Sequence, residues 1–245
     1  MTETLAQGPG ASLAHDSALK HTTGEALFID DIPVSQNTLH LAVGSATAVC
    51  GRIESMDLGA VRNAPGVIDV FCANDIPGQN DVSPSGRGDE PVLADTEVRF
   101  DGEPVFAVVA TSHRAARAAA ALGKVRITSE KPILTVDDAL HHQRFISDEQ
   151  LMQRGDWENA MRSAPHTAAG TLYCGGQDHF YLEGQVSLAI PQEDGDMLVH
   201  CSTQHPSEIQ QHLAKVLGKP ANAITVEVRR MGGAFGGKES QDCQW

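Results

Sequence analysis

Four glycines fall within six residues in Gly232-Gly233-Ala234-Phe235-Gly236-Gly237, and Lys238-Glu239 follow directly. Glycine lets backbone N–H groups approach a ligand in conformations that a Cβ resists, so such a loop suits an anionic or strongly hydrogen-bonding cofactor. It matches neither GxxxxGK[ST] nor GxGxxG, the two nucleotide-binding patterns. A second reading is a tight β-turn with Phe235 in the core. Glu239 either hydrogen-bonds a polar ligand or favours the positive end of a following helix. Gln204, neutral and carrying both donor and acceptor atoms, either contacts a ligand oxygen without adding charge or is a loop residue satisfied by backbone.

The segment 197–239, which holds these residues, reads as strand, loop, helix, strand, loop. Pro206 suits a first helical turn; Ile209, Leu213 and Val216/Leu217 share one face, and Gly218 terminates the helix. Met197 to Cys201 and Ile224 to Val228 read as strands. If they are parallel neighbours, the crossover helix brings both following loops out at one edge, where ligands of open α/β sheets bind. Gln204 and the glycine loop then converge. Val186 to Ile190 reads as a further strand, joined to Met197 by a hairpin turn over 192–196.

Residues 1–16 are polar and aperiodic, a flexible arm. Within 17–130, Val67 to Phe71 is a strand and 74–95 an excursion loop. Pro104 to Ala110 is an apolar strand buried on both faces. Ser112 caps a helix over Arg114 to Leu122, Gly123 ends it, and Lys124 to Thr128 returns as a strand, a strand–helix–strand module. The alanines of 115–121 form a helix face packed closely on a sheet. Residues 131–165 form a connection and 166–245 a second unit. The fold class is α/β (α+β).

The chain has 245 residues and a net charge of −14, with 41% apolar residues. It is long enough to bury a real core, which excludes disorder throughout. The acidic balance argues against a nucleic-acid or anionic membrane partner, since both need a positive footprint. No apolar run reaches a membrane span, and the opening residues lack a signal-peptide pattern. Five scattered cysteines without a CxxC fit a reduced, cytoplasmic compartment. Cys174 and Cys201 read as small buried apolar residues. Asp30-Asp31 reads as a turn. His141, His142, His200 and His212 show no ligand spacing, and His179 reads as a packed histidine near the pocket.

Taken together, Ser202-Thr203-Gln204, the helix, Arg230 to Glu239 and the upstream run Gly175-Gly176-Gln177-Asp178-His179-Phe180-Tyr181-Leu182-Glu183 resemble the molybdenum-binding subunit of the xanthine dehydrogenase and aldehyde oxidase family. The first unit, with Thr23 to Ala26 and Asp30 to Pro33, is similar to that family's α/β-hammerhead domain. The resemblance covers about 17–241.

It implies hydroxylation of an electron-poor carbon, with oxygen from water, at a molybdenum centre held by molybdopterin. Gln204 matches the glutamine that hydrogen-bonds an oxygen on the metal. Gly233, Phe235, Gly236 and Gly237 match the loop whose backbone approaches the cofactor, so that Gln204 and Phe235 meet the metal only through the oxo and pterin groups. Glu239 matches the glutamate that positions the purine; in aldehyde oxidases that position is usually apolar, which favours hypoxanthine or xanthine as substrate. The alternatives are an aldehyde or other N-heterocycle hydroxylase and a non-catalytic assembly piece. Because the pterin sulfurs hold the metal, no Cys/His cluster is needed. FAD and [2Fe-2S] clusters are expected on a partner iron–sulfur/FAD subunit or domain.

Ala234 stands where many relatives have a third consecutive glycine. Asp242 to Trp245 no longer resemble the family, and its later residues, including the general base, have no counterpart here. The resemblance therefore implies an amino-terminal fragment, inactive in isolation, that exposes apolar surface.

Overall fold

The computed structural model describes residues 10–84 and 86–239. Its helices are α1 (Ala18–Thr23), α2 (Gly59–Arg62), α3 (His113–Ala120), α4 (Val136–His141), α5 (Trp157–Ser163) and α6 (Pro206–Leu217). The strands are β1 (His40–Ser45), β2 (Gly51–Asp57), β3 (Val67–Cys72), β4 (Glu97–Val98), β5 (Pro104–Ala110), β6 (Lys124–Ser129), β7 (Ser187–Pro191), β8 (Met197–Cys201) and β9 (Ile224–Glu227). They form three sheets, ordered β1-β5-β3, β4-β2-β6 and β7-β8-β9.

The apolar run of β5 is central in its sheet, as its composition demands: Val105, Phe106, Ala107, Val108 and Ala110 are buried. The Ser112 hydroxyl caps α3 by accepting from Ala115 N at 3.2 Å. Ala116 and Ala119 are buried on a helix packed against β1 and β5. These parts follow the sequence reading, but the strand–helix–strand module does not. β5 and β6 lie in different sheets, and β6 pairs antiparallel with β2. The helix ends at Ala120 and is capped by Ala121, not Gly123. Gly123 has a steric task instead: a Cβ there would come 2.3 Å from the Phe106 ring, and one at Gly44 would come 1.9 Å from it. Two glycines thus make room for one buried phenylalanine where the chain passes between sheets.

Of the arm expected over 1–16, residues 1–9 lie outside the described residues, and 10–16 are exposed. Asp30 and Asp31 lie in a 3-10 turn, in which Asp31 Oδ2 accepts from Phe28 N at 2.9 Å. The connection over 131–165 contains α4 and α5, neither of which buries a residue. Cys201 is buried, but Cys174 is exposed in an irregular stretch, because no strand carries it into a core.

The loop 74–95 is more than an excursion. Val82, Val92 and Leu93 form a small core of their own with Ala73, and Val216 of α6 packs against it. Gly78 N and Gln79 N donate to the carbonyls of Val216 and Lys215, at 2.9 and 3.0 Å, so this loop caps the carboxyl end of α6. Asp81 pairs with Lys215 beside it. A second tie runs through Arg230, whose guanidinium donates to Leu27 O at 2.5 Å. The first unit thereby holds both the helix and the loop that frame the site.

No helix among the described residues is long and apolar enough to cross a membrane.

Candidate functional site

β8 and β9 are parallel neighbours in register from Met197/Ile224 to His200/Glu227. α6 crosses between them, beginning with Pro206 in its first turn and ending at Gly218 in the left-handed region, φ 63°. β7 and β8 make the antiparallel hairpin. Both loops that follow β8 and β9 therefore leave from one edge.

They meet there. Gln204 N donates to Lys238 O at 2.6 Å, and Thr203 Oγ1 donates to the same carbonyl at 3.2 Å. The Gln204 side-chain oxygen accepts from Gly236 N at 3.0 Å and from Lys238 N at 3.3 Å. With two backbone donors on one atom, that atom must be the amide oxygen, and the Nε2 donors are turned away from the loop. Gln204 is exposed, and no described residue accepts from its Nε2.

The glycines divide into two kinds. Gly233 and Gly236 have φ of +97° and +91°, a backbone that only glycine adopts freely. Gly232 and Gly237 are required by packing: a Cβ would lie 2.4 Å from Glu183 Cβ at the first, and 2.8 Å from both the His179 and Tyr181 rings at the second. Gly232 and Gly237 thus also admit the segment 179–183, a packing task the sequence reading did not foresee. Phe235 is 75% exposed and has φ 58°, which overturns the reading that places it in the core. A non-glycine residue in that conformation carries a backbone cost, which Phe235 shares with Gln143, Phe180 and Asp194. Glu239 is exposed and follows Lys238 directly.

Beneath the loop lies a charged cluster that sequence reasoning missed. The Lys238 side chain has 0% exposure and that of Glu183 10%. Lys238 Nζ donates to Ser202 Oγ at 2.7 Å, to Glu183 O at 2.9 Å and to Glu183 Oε2 at 3.4 Å, and it lies 4.6 Å from the centre of the Tyr181 ring. Ser202 Oγ and Gly232 N in turn donate to Glu183 Oε2, at 2.6 and 2.7 Å. Burial pushes the Glu183 carboxyl up, but the Gly232 N–H, the Ser202 hydroxyl and the Lys238 ammonium together hold it below the usual glutamate range. Its other oxygen, Oε1, is buried without a hydrogen-bond partner among the described residues.

His179 stands beside Tyr181 with ring centroids 6.5 Å apart, facing Gly237. Among the described residues, no group of three or more His, Cys, Asp or Glu is placed to hold a metal ion. A cavity of about 670 Å³ lies between β1 and β7, lined in part by Asp30, His40, His113, Val186 and Leu188; neither Gln204 nor any loop glycine borders it.

Residues 23–131 match the aldehyde oxidase and xanthine dehydrogenase a/b hammerhead domain, and residues 140–245 match the molybdopterin cofactor-binding domain. The chain belongs to the xanthine dehydrogenase/aldehyde oxidase family. It is 41% identical over 243 residues to aldehyde oxidase 3 of Rattus norvegicus, covering 98% of this chain and 18% of the relative. It is 38% identical over 234 residues to xanthine dehydrogenase/oxidase of Gallus gallus, covering 95% and 17%. Among solved structures, quinoline 2-oxidoreductase from Pseudomonas putida 86 superposes with a TM-score of 0.81 at 26% identity, over 94% of this chain and 31% of that one. The chain thus spans under a fifth of the curated relatives' length.

The residues present fit a molybdopterin group. The loop offers two positive-φ glycines and a neutral amide whose donors point outward, and this set can hydrogen-bond an electron-rich group without a charge of its own.

Proposed function

We propose that this chain forms one wall of a molybdopterin site in an enzyme that oxidatively hydroxylates hypoxanthine or xanthine. One observation carries the reading: the Gln204 amide oxygen is held by Gly236 N and Lys238 N, so its N–H donors face outward beside the loop that leads into Glu239.

The molybdenum centre, when bound, supplies the transfer of oxygen from water to an electron-poor carbon and takes up the electrons released. Gln204 Nε2 donates a hydrogen bond to that group. The backbone of Gly233, Phe235, Gly236 and Gly237 lets it approach closely. The Glu239 carboxylate holds the purine in its reactive orientation and stabilises charge that develops on the ring. FAD and [2Fe-2S] clusters reside on other domains or subunits of the same enzyme.

A second reading is an aldehyde or other N-heterocycle hydroxylase, since aldehyde oxidases at 38–41% identity are as close to this chain as the chicken xanthine enzyme at 38%. The carboxylate at position 239 supports the purine reading, since an aldehyde needs no such partner. Glu239→Val in the full-length enzyme separates the two. Purine kcat/KM falls by about 10²-fold while aldehyde turnover changes little; equal losses on both substrates defeat the purine-positioning role.

A further inference from the structure

Lys238 is a cation with no exposure, on a chain whose other lysines are at least partly accessible. Burying an ammonium is strongly unfavourable unless it is paired and hydrogen-bonded. Here its three protons meet three acceptors: Ser202 Oγ, Glu183 O and Glu183 Oε2. The acceptors come from two places, the segment that ends the run 175–183 and the first residue after β8. One side chain thus joins the glycine loop to both.

The main chain of the same residue grips Gln204. Its N–H and that of Gly236 donate to the Gln204 amide oxygen, and its carbonyl accepts from Gln204 N. A short relay results, from the Glu183 carboxylate through the Lys238 ammonium and backbone to the Gln204 amide. Hydrophobic replacement of a buried ion pair is often neutral for stability. Packing alone therefore does not require a charge at this position, whereas a directional anchor does.

We infer that Lys238 is a positioning residue: paired with Glu183 and Ser202, it sets the height of the glycine loop and so the direction in which the Gln204 amide donors face the cofactor. This rests on the proposed reading that Gln204 faces that group.

The test uses the full-length, molybdenum-loaded enzyme with Lys238→Met, the neutral double variant Lys238→Met/Glu183→Gln, Lys238→Arg, and Gln204→Ala as reference. Lys238→Met leaves the Glu183 carboxylate buried and unpaired, and its thermal midpoint falls. The double variant removes that unpaired charge and recovers most of the midpoint, yet its kcat stays about 10²-fold low with KM nearly unchanged. Its molybdenum EPR signal shifts toward that of Gln204→Ala. If either charged variant fails to accumulate, the double variant alone carries the comparison. Lys238→Arg, which keeps the charge but alters the donor geometry, shows the same EPR shift to a lesser extent. A double variant with wild-type kcat and EPR signal, while Gln204→Ala is impaired, overturns the role of Lys238 and leaves the site reading intact. A Gln204→Ala enzyme with unchanged kcat and EPR signal overturns the site reading and this inference together.

Discussion

Gln204 grips Lys238 on both sides of a single residue. Its backbone N–H donates to the Lys238 carbonyl at 2.6 Å, while its side-chain oxygen accepts from the Lys238 N–H at 3.3 Å. Side chain and main chain of one residue thus tie the loop after β8 to the loop after β9. The orientation of the amide follows from this tie and not from any ligand.

Gln204→Glu separates the tie from the donors. A carboxylate still accepts from Gly236 N and Lys238 N, so the loop geometry and thermal midpoint of the full-length enzyme stay close to wild type. The outward donors are lost, and kcat falls by about 10²-fold, the size seen when one preorganised donor is removed. Steady-state kinetics beside a thermal melt checks both halves.

The two kinds of glycine respond differently to alanine. Gly237→Ala drives a methyl group into the His179 and Tyr181 rings, where a Cβ would sit at 2.8 Å, and destabilises by about 1–3 kcal/mol through overpacking. Gly236→Ala has its nearest neighbour at 3.8 Å and suffers only the backbone cost of its φ of +91°, about 1–2 kcal/mol. A second change, His179→Ala, therefore relieves Gly237→Ala in part, the Tyr181 contact remaining, and does not relieve Gly236→Ala. Unfolding of the two double variants shows whether this holds.

Asp81 links the two units in a pH-dependent way. Burial pushes its carboxyl up, but Lys215 and Ser83 outweigh this and hold it at about 2, against 3.8 ordinarily. Because the folded value is the lower one, the contribution is complete above about pH 4 and disappears as pH falls toward 2. Asp81→Asn lowers stability by about 1–2 kcal/mol at pH 7. The gap from wild type closes across that acid window; thermal melts between pH 7 and 2 reveal a constant gap if Asp81 is not the group responsible.

The 245-residue chain alone should neither retain molybdopterin nor oxidise purines. Gln204, Phe235 and Glu239 are exposed, so they line a surface and not an enclosed pocket. Large apolar side chains stand uncovered on the segment 179–183 that packs against the loop, Phe180 at 89% and Leu182 at 98% exposure. Stoichiometric molybdenum by elemental analysis, together with purine turnover in the purified chain, contradicts this expectation.

Local patterns carried much of the architecture. The helix from Pro206 to Leu217 was legible because its start signal, apolar spacing and terminal Gly218 all act within a few residues of one another. The hairpin of β7 and β8 was legible for the same reason, and the resemblance in 175–183, 202–204 and 230–239 pointed to Gln204 and the glycine loop. The partner of β6 was not legible, since an apolar run encodes burial but not which strand lies beside it. Nor was the work of Gly232 and Gly237, whose neighbours lie about fifty residues upstream. Lys238 is the sharpest case. A lysine is read as exposed by default, and only folding brings Glu183, Ser202 and Tyr181 around it, at 55 and 36 residues' separation for the first two. Sequence determined the elements, because propensity and capping are short-range. The tertiary structure decided which backbone and charged groups face one another, because pairing and burial depend on the whole chain having closed.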